Sequence, residues 1–128
     1  MQLHIRGALV TALALAAGLA GAQTGAPMPA GDAAHGQMLY ESRCVACHSV
    51  DEDRVGPHHR VVVGRRAGSV PGFEYSDALA NANFRWSAAL INRWLTDPEQ
   101  LVPGQKMGYR LDEAKDRADV IAYLATLK

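Results

Sequence analysis

The pentapeptide Cys44-Val45-Ala46-Cys47-His48 constrains this chain more than any other feature. The sequence has two cysteines, and both lie here. Two thiols three residues apart fall on one side of a helical turn, where each can add to one vinyl group of a porphyrin. The histidine directly after the second thiol is then held against one face of the ring, where its imidazole can ligate iron. Three readings compete for such a motif: a thioredoxin-like redox pair, half of a zinc site, and attachment of c-type haem. A redox pair usually sits in an α/β pattern, which this chain lacks. Zinc would need two more ligands, and past the leader only His35, His58 and His59 are candidates. The haem reading needs nothing further. One covalently bound haem c is therefore the expected cofactor, attached through Cys44 and Cys47, with His48 on the iron.

A single haem leaves the sixth iron position to fill, and Met107 is the best candidate. It ends the run Pro103-Gly104-Gln105-Lys106-Met107, a turn-rich segment between two helical patterns. Such a segment can present one side chain to the opposite haem face. Methionine is by default a core filler, but a polar, Gly/Pro-rich segment is a poor place for one. Met38 falls on the first helix beside the Cys44 face, and Met28 lies in a flexible leader.

The N-terminus reads as a secretory signal over residues 1–22. His4 and Arg6 precede an uncharged run over 7–20, and Ala20-Gly21-Ala22 is a small-x-small cleavage site. The run is shorter than the roughly 20 residues that a membrane-spanning helix needs. An uncleaved anchor is the alternative. The expected compartment is the periplasm, with no stable membrane insertion after cleavage. Residues 23–31 read as a flexible mature N-terminus, and 32–128 as one domain, which is all that 128 residues leave room for. Basic and acidic residues number 13 each, which excludes a nucleic-acid binder read from bulk charge and an acidic disordered tail alike.

The helical signals are readable. Asp32 can cap a helix running to about Arg43, with Gly36 and Tyr40 on one face. Asp77 can cap a short segment around 77–82. Ser87 precedes the stripe Leu90, Ile91, Trp94 and Leu95, and Pro98 stops that helix. Asp112 opens a last helix with Val120, Ile121, Leu124 and Leu127 on one stripe. The Gly- and Pro-rich stretch 49–76 reads as ordered loop, and Val61-Val62-Val63 is too short to carry a sheet. The expected fold is all-α, with three main helices, short helical segments and ordered loops around one haem.

In this order, the motifs resemble those of the class I c-type cytochromes, the group of mitochondrial cytochrome c and bacterial cytochrome c2. The pieces are Gly31-Asp32, Gly36, Tyr40, the pentapeptide, Gly56-Pro57, Gly64-Arg65, Phe73-x-Tyr75-Ser76-x-Ala78, Trp86, Leu95-x-x-Pro98, Pro103-Gly104-x-Lys106-Met107 and Arg117-Ala118-Asp119-x-Ile121-x-Tyr123-Leu124. The resemblance implies the cytochrome c fold, with His48 as proximal and Met107 as distal ligand. It implies that the Pro57 carbonyl accepts from the other ring N–H of His48. Arg65, Tyr75 and Trp86 match residues that hydrogen-bond a haem propionate. Gly36 and Tyr40 match the face where the first helix crosses the last, near Tyr123 and Leu124. The implied function is one-electron transfer by a soluble single-haem carrier, not an enzyme. Its partners would be redox proteins, an electron donor and an acceptor left unnamed, met as a monomer in transient complexes. A cytochrome subunit of a larger periplasmic dehydrogenase is the alternative. A peroxidase or gas-binding haem would need an open sixth position.

The departures from that pattern are local. Trp94 stands where the group often has a tyrosine near the methionine sulfur, so an indole N–H can replace a hydroxyl. Gln105 replaces a common threonine, and the chain between Met107 and Arg117 is one residue shorter than usual. Gly56-Pro57-His58-His59-Arg60-Val61 replaces G-P-x-L-x-G, which puts His59 in place of a haem-packing leucine and Val61 in place of a glycine. Two readings of this loop stand: both imidazoles face solvent, or His59 lies at the haem wall.

Overall fold

The computed structural model describes residues 27–128. The expected leader over 1–22 lies outside them, as does the first part of 23–31. Helix α1 spans Ala33–Arg43, where the Asp32 carboxylate accepts from the N–H groups of Ala34 and His35. Helix α5 spans Ala114–Thr126 and crosses α1. The crossing needs a glycine: a Cβ on Gly36 would lie 1.9 Å from the Asp119 carbonyl oxygen. Gly31 is pressed in the same way against Ala118. Tyr40 packs on Tyr123 with ring centroids 5.3 Å apart. Upstream of α1, Met28 packs partly buried against the core, so ordered packing begins before Asp32.

Three short elements complete the helical frame. Helix α2 covers Asp77–Ala80, α3 covers Ala88–Thr96 and α4 covers Pro98–Leu101. Ser87 caps α3, accepting from the Leu90 N–H. Pro98 ends α3 and also opens α4, where a missing N–H costs nothing, with the Asp97 carboxylate as cap. Two starts differ from the sequence expectation. Ser76, not Asp77, caps α2, accepting from Leu79. Helix α5 begins at Ala114 rather than at Asp112, after Glu113, whose side chain makes no capping bond. The Arg117 guanidinium donates to the carbonyls of Leu111 and Asp112, at 2.7 and 2.6 Å, and to Asn92 on α3.

Among the described residues there is no strand, only an isolated bridge between Arg66 and Arg85. Around it Gly64 donates to the Trp86 carbonyl and Trp86 to the Arg65 carbonyl. This pairing turns Arg65 and Trp86 toward the molecule's centre. The loop after α1 folds back on itself, with His59 donating to Ser49 and Arg60 to Val50. The Val61 N–H donates to the Leu127 carbonyl, and Val61 sits in the left-handed region at φ 57°.

Candidate cofactor site

The core residues surround a cavity of about 540 Å³, within the roughly 300–1,000 Å³ usual for small-molecule and cofactor sites. Cys44, Cys47, His48, Pro57, Arg65, Tyr75, Trp86, Trp94 and Met107 all line it. Every residue singled out from sequence for this site is therefore brought to one place. The remaining wall is mostly apolar, from Tyr40, Val62, Phe73, Leu79, Ile91, Leu95, Val120 and Leu124.

The first wall comes from the turn after α1. Cys44 is partly buried and Cys47 exposed, and they form no disulfide with each other. Burial pushes the Cys44 thiol up to about 11, against the pull of Arg43. His48 Nδ1 lies 2.8 Å from the Pro57 carbonyl oxygen. A carbonyl only accepts, so Nδ1 carries the proton and Nε2 keeps its lone pair. Burial also draws His48 below the ordinary histidine value, with the Pro57 bond opposing, so the ring is neutral at pH 7. Gly56 lies against the ring edge: a Cβ there would be 2.1 Å from His48 Cε1.

Met107 is held from the other side of the sequence. The Trp94 indole N–H donates to its sulfur at 3.2 Å. An indole has no acceptor to offer, so the contact is directional and leaves the second sulfur lone pair free. The Met107 N–H donates to the Gln105 side-chain oxygen. Glu99 on α4 then accepts from the Gly104 N–H at 2.8 Å and from Gln105 Nε2 at 3.3 Å. Glu99 escaped the sequence reading, which had no sign that α4 turns toward this loop. The Gln105 substitution was visible, but its bond to Met107 was not.

The polar part of the wall has the charge an anion needs. Arg65 donates to the carbonyls of His58, at 2.8 Å, and Arg60, at 3.2 Å. Burial disfavours its charge, and among the described residues it has no carboxylate partner. The Tyr75 hydroxyl oxygen accepts from the Val70 N–H at 3.2 Å, which leaves its proton free to donate into the cavity. Trp86 is buried edge-on to Trp94, with centroids 5.3 Å apart.

The loop with two histidines follows the second of the two readings. His58 Nδ1 is 2.7 Å from the Asp53 carboxylate near the surface. His59 does not face solvent. It lines the cavity, stacks on His48 at 4.1 Å with an interplanar angle of 22°, and hydrogen-bonds the Tyr40 hydroxyl through Nδ1 at 3.1 Å. His35 is elsewhere, with Nδ1 2.8 Å from Asp119 between α1 and α5. Among the described residues the one cluster of three His, Cys, Asp or Glu groups close enough to share an ion is His35, Asp116 and Asp119. No such cluster includes Cys44 or Cys47, so the further ligands a zinc site would need are not assembled around them.

A small helical domain built around an apolar cavity, with Cys-x-x-Cys-His at its edge, a cationic group in its wall and a sulfur held within it, is the architecture of a c-type cytochrome. The comparisons agree. The cytochrome c family model matches residues 33–128. The chain is 45% identical to cytochrome c2 of Rhodomicrobium vannielii over 76% of its own length and 80% of that protein. It is 44% identical to cytochrome c of Euglena viridis, covering 77% of itself and 99% of that chain. The solved structure of cytochrome cH from Methylobacterium extorquens superposes with a TM-score of 0.71 at 41% identity, over 75% of this chain and 99% of that one. The chain belongs to the cytochrome c family, as a class I c-type cytochrome. It is a single-haem electron carrier, and its two cysteines fit one covalently bound haem c.

Proposed function

We propose that this protein shuttles single electrons between redox proteins of the periplasm, with its iron closed on both faces by His48 and Met107. The haem, when bound, supplies a one-electron iron couple. The chain's residues do the rest. Cys44 and Cys47 hold the ring through thioethers. His48 presents Nε2 because Pro57 holds its other nitrogen, and Met107 presents sulfur because Trp94 holds it in place. Arg65, Tyr75 and Trp86 would receive the propionates, which would give the Arg65 guanidinium the anion it lacks.

The observation that carries this reading is that both candidate ligands are fixed by bonds to other protein groups. Ligands held this way keep their places whatever the iron's charge, which is what fast, reversible electron transfer requires. A site closed on both faces leaves no position for substrate, so the protein is a carrier and not an enzyme. Among the described residues no helix is long and apolar enough to cross a membrane. Exposed Cys47, Val45 and Val55 lie on the cavity's outer edge or beside it. A partner touching there meets the edge of the haem across a small, transient contact, typically below about 1,200 Å².

The test is carbon monoxide added to the reduced holoprotein at neutral pH, beside a one-electron redox titration. The expected result is a reversible one-electron curve and no carbon monoxide adduct. Rapid adduct formation would mean an open sixth position and a catalytic or sensing role.

A further inference from the structure

His48 has three neighbours that could set the plane of its ring. Its Nδ1 bond to Pro57 fixes one atom. The Gly56 backbone lies at the Cε1 edge. The third is His59, nearly parallel to its face at 4.1 Å. A flat ring against a flat face resists rotation in a way that a branched aliphatic group does not. His59 is itself anchored. Its N–H donates to the Ser49 carbonyl at 3.0 Å, and its own carbonyl accepts from Val62 at 3.0 Å. Its ring is hydrogen-bonded to the Tyr40 hydroxyl at 3.1 Å, and Tyr40 packs on Tyr123 where α1 crosses α5. Burial keeps the Tyr40 hydroxyl protonated, so this hydrogen bond persists at neutral pH.

We propose that His59 is a positioning residue for His48: stacked on the ligand imidazole and pinned by Tyr40, it couples the α1–α5 crossing to the orientation of the ring plane over the haem. The inference rests on the reading of His48 as iron ligand. The plane of an axial imidazole decides how unpaired spin is spread over the porphyrin in ferric iron. The four haem-methyl proton shifts of the oxidised protein therefore report it directly.

The experiment compares those shifts in oxidised wild-type, His59→Leu, His59→Phe and Tyr40→Phe holoproteins, with the sulfur-to-iron charge-transfer band recorded for each. His59→Leu should change the spread and order of the four methyl shifts while keeping the band. His59→Phe, which restores a flat ring, should return most of the wild-type pattern. Tyr40→Phe should move the pattern the same way as His59→Leu but less far. If His59→Leu does not yield folded protein, Tyr40→Phe decides alone. A wild-type pattern retained in His59→Leu or, failing that variant, in Tyr40→Phe overturns the proposal. So does a His59→Phe pattern as altered as that of His59→Leu. Those outcomes overturn the proposal alone; an oxidised wild type without hyperfine-shifted His48 ring protons removes the ligand reading and the proposal with it.

Discussion

The Trp94 indole N–H donates to the Met107 sulfur across 3.2 Å, joining α3 to the loop that follows α4. A hydrogen bond of this kind contributes about 1 kcal/mol net. Trp94→Phe should keep the haem and the fold but hold the sulfur more loosely. The sulfur-to-iron charge-transfer band of the oxidised protein should then vanish at a temperature several degrees lower than in wild type. An unchanged melting profile of that band would show that the indole does not hold Met107.

Val61 takes a left-handed backbone at φ 57° with its side chain half exposed. A β-branched residue there is strained by roughly 1–2 kcal/mol, partly offset by the greater flexibility that glycine gives the unfolded chain. Val61→Gly should therefore stabilise the holoprotein, by up to about 1 kcal/mol, seen as a higher denaturant midpoint at unchanged slope. A lower midpoint would contradict the strain.

At the crossing of α1 and α5 the closest neighbour of a Gly36 Cβ is backbone, the Asp119 carbonyl oxygen at 1.9 Å. Backbone on both sides leaves nothing flexible to give way. Gly36→Ala should force the helices apart and cost about 3 kcal/mol, measured as a large fall in the denaturant midpoint. A midpoint near that of wild type would mean that the crossing is looser than described.

Much of this arrangement was legible in the sequence, and the part that was not has a common cause. Asp32 was readable as a cap because a cap acts within three residues of itself, and Ser87 as the residue before a helical stripe. The Cys44–His48 motif was readable because its chemistry is contained in five. Asp119 was not identified as a buried charge, since in sequence it is one more polar residue on an amphipathic helix. Its burial depends on Asp32 and His35, which lie 87 and 84 residues away. The start of α5 was misplaced for a similar reason: the Arg117 side chain reaches back to bind the carbonyls of Leu111 and Asp112, a contact that no local pattern around Asp112 announces. His59 could be seen to break a pattern. Which way its ring points is decided by Tyr40 on another element.

Asp119 also gives the fold a dependence on acid. Its side chain is fully buried, bonded by Lys115, by the Asp32 N–H at 2.6 Å and by His35. These partners, Lys115 first, hold its carboxyl well below the ordinary carboxylate range, against the effect of burial. The native chain therefore keeps this charge to lower pH than the unfolded chain, where Asp titrates near about 3.9. The resulting stabilisation is complete above that value and is lost as pH falls from there toward the native pKa. Asp119→Asn should lower the melting temperature at pH 7 and fall less steeply than wild type between about pH 4 and pH 2. Parallel curves would show that other groups carry the acid limb.

If Met107 closes the iron opposite His48, the near-infrared edge of the ferric spectrum shows it. Wild-type oxidised holoprotein should show the weak sulfur-to-iron charge-transfer band at neutral pH. Met107→Ala, with haem still attached through Cys44 and Cys47, should lack it and should bind carbon monoxide once reduced. A wild-type spectrum without the band, or a Met107→Ala spectrum that keeps it, would contradict the account.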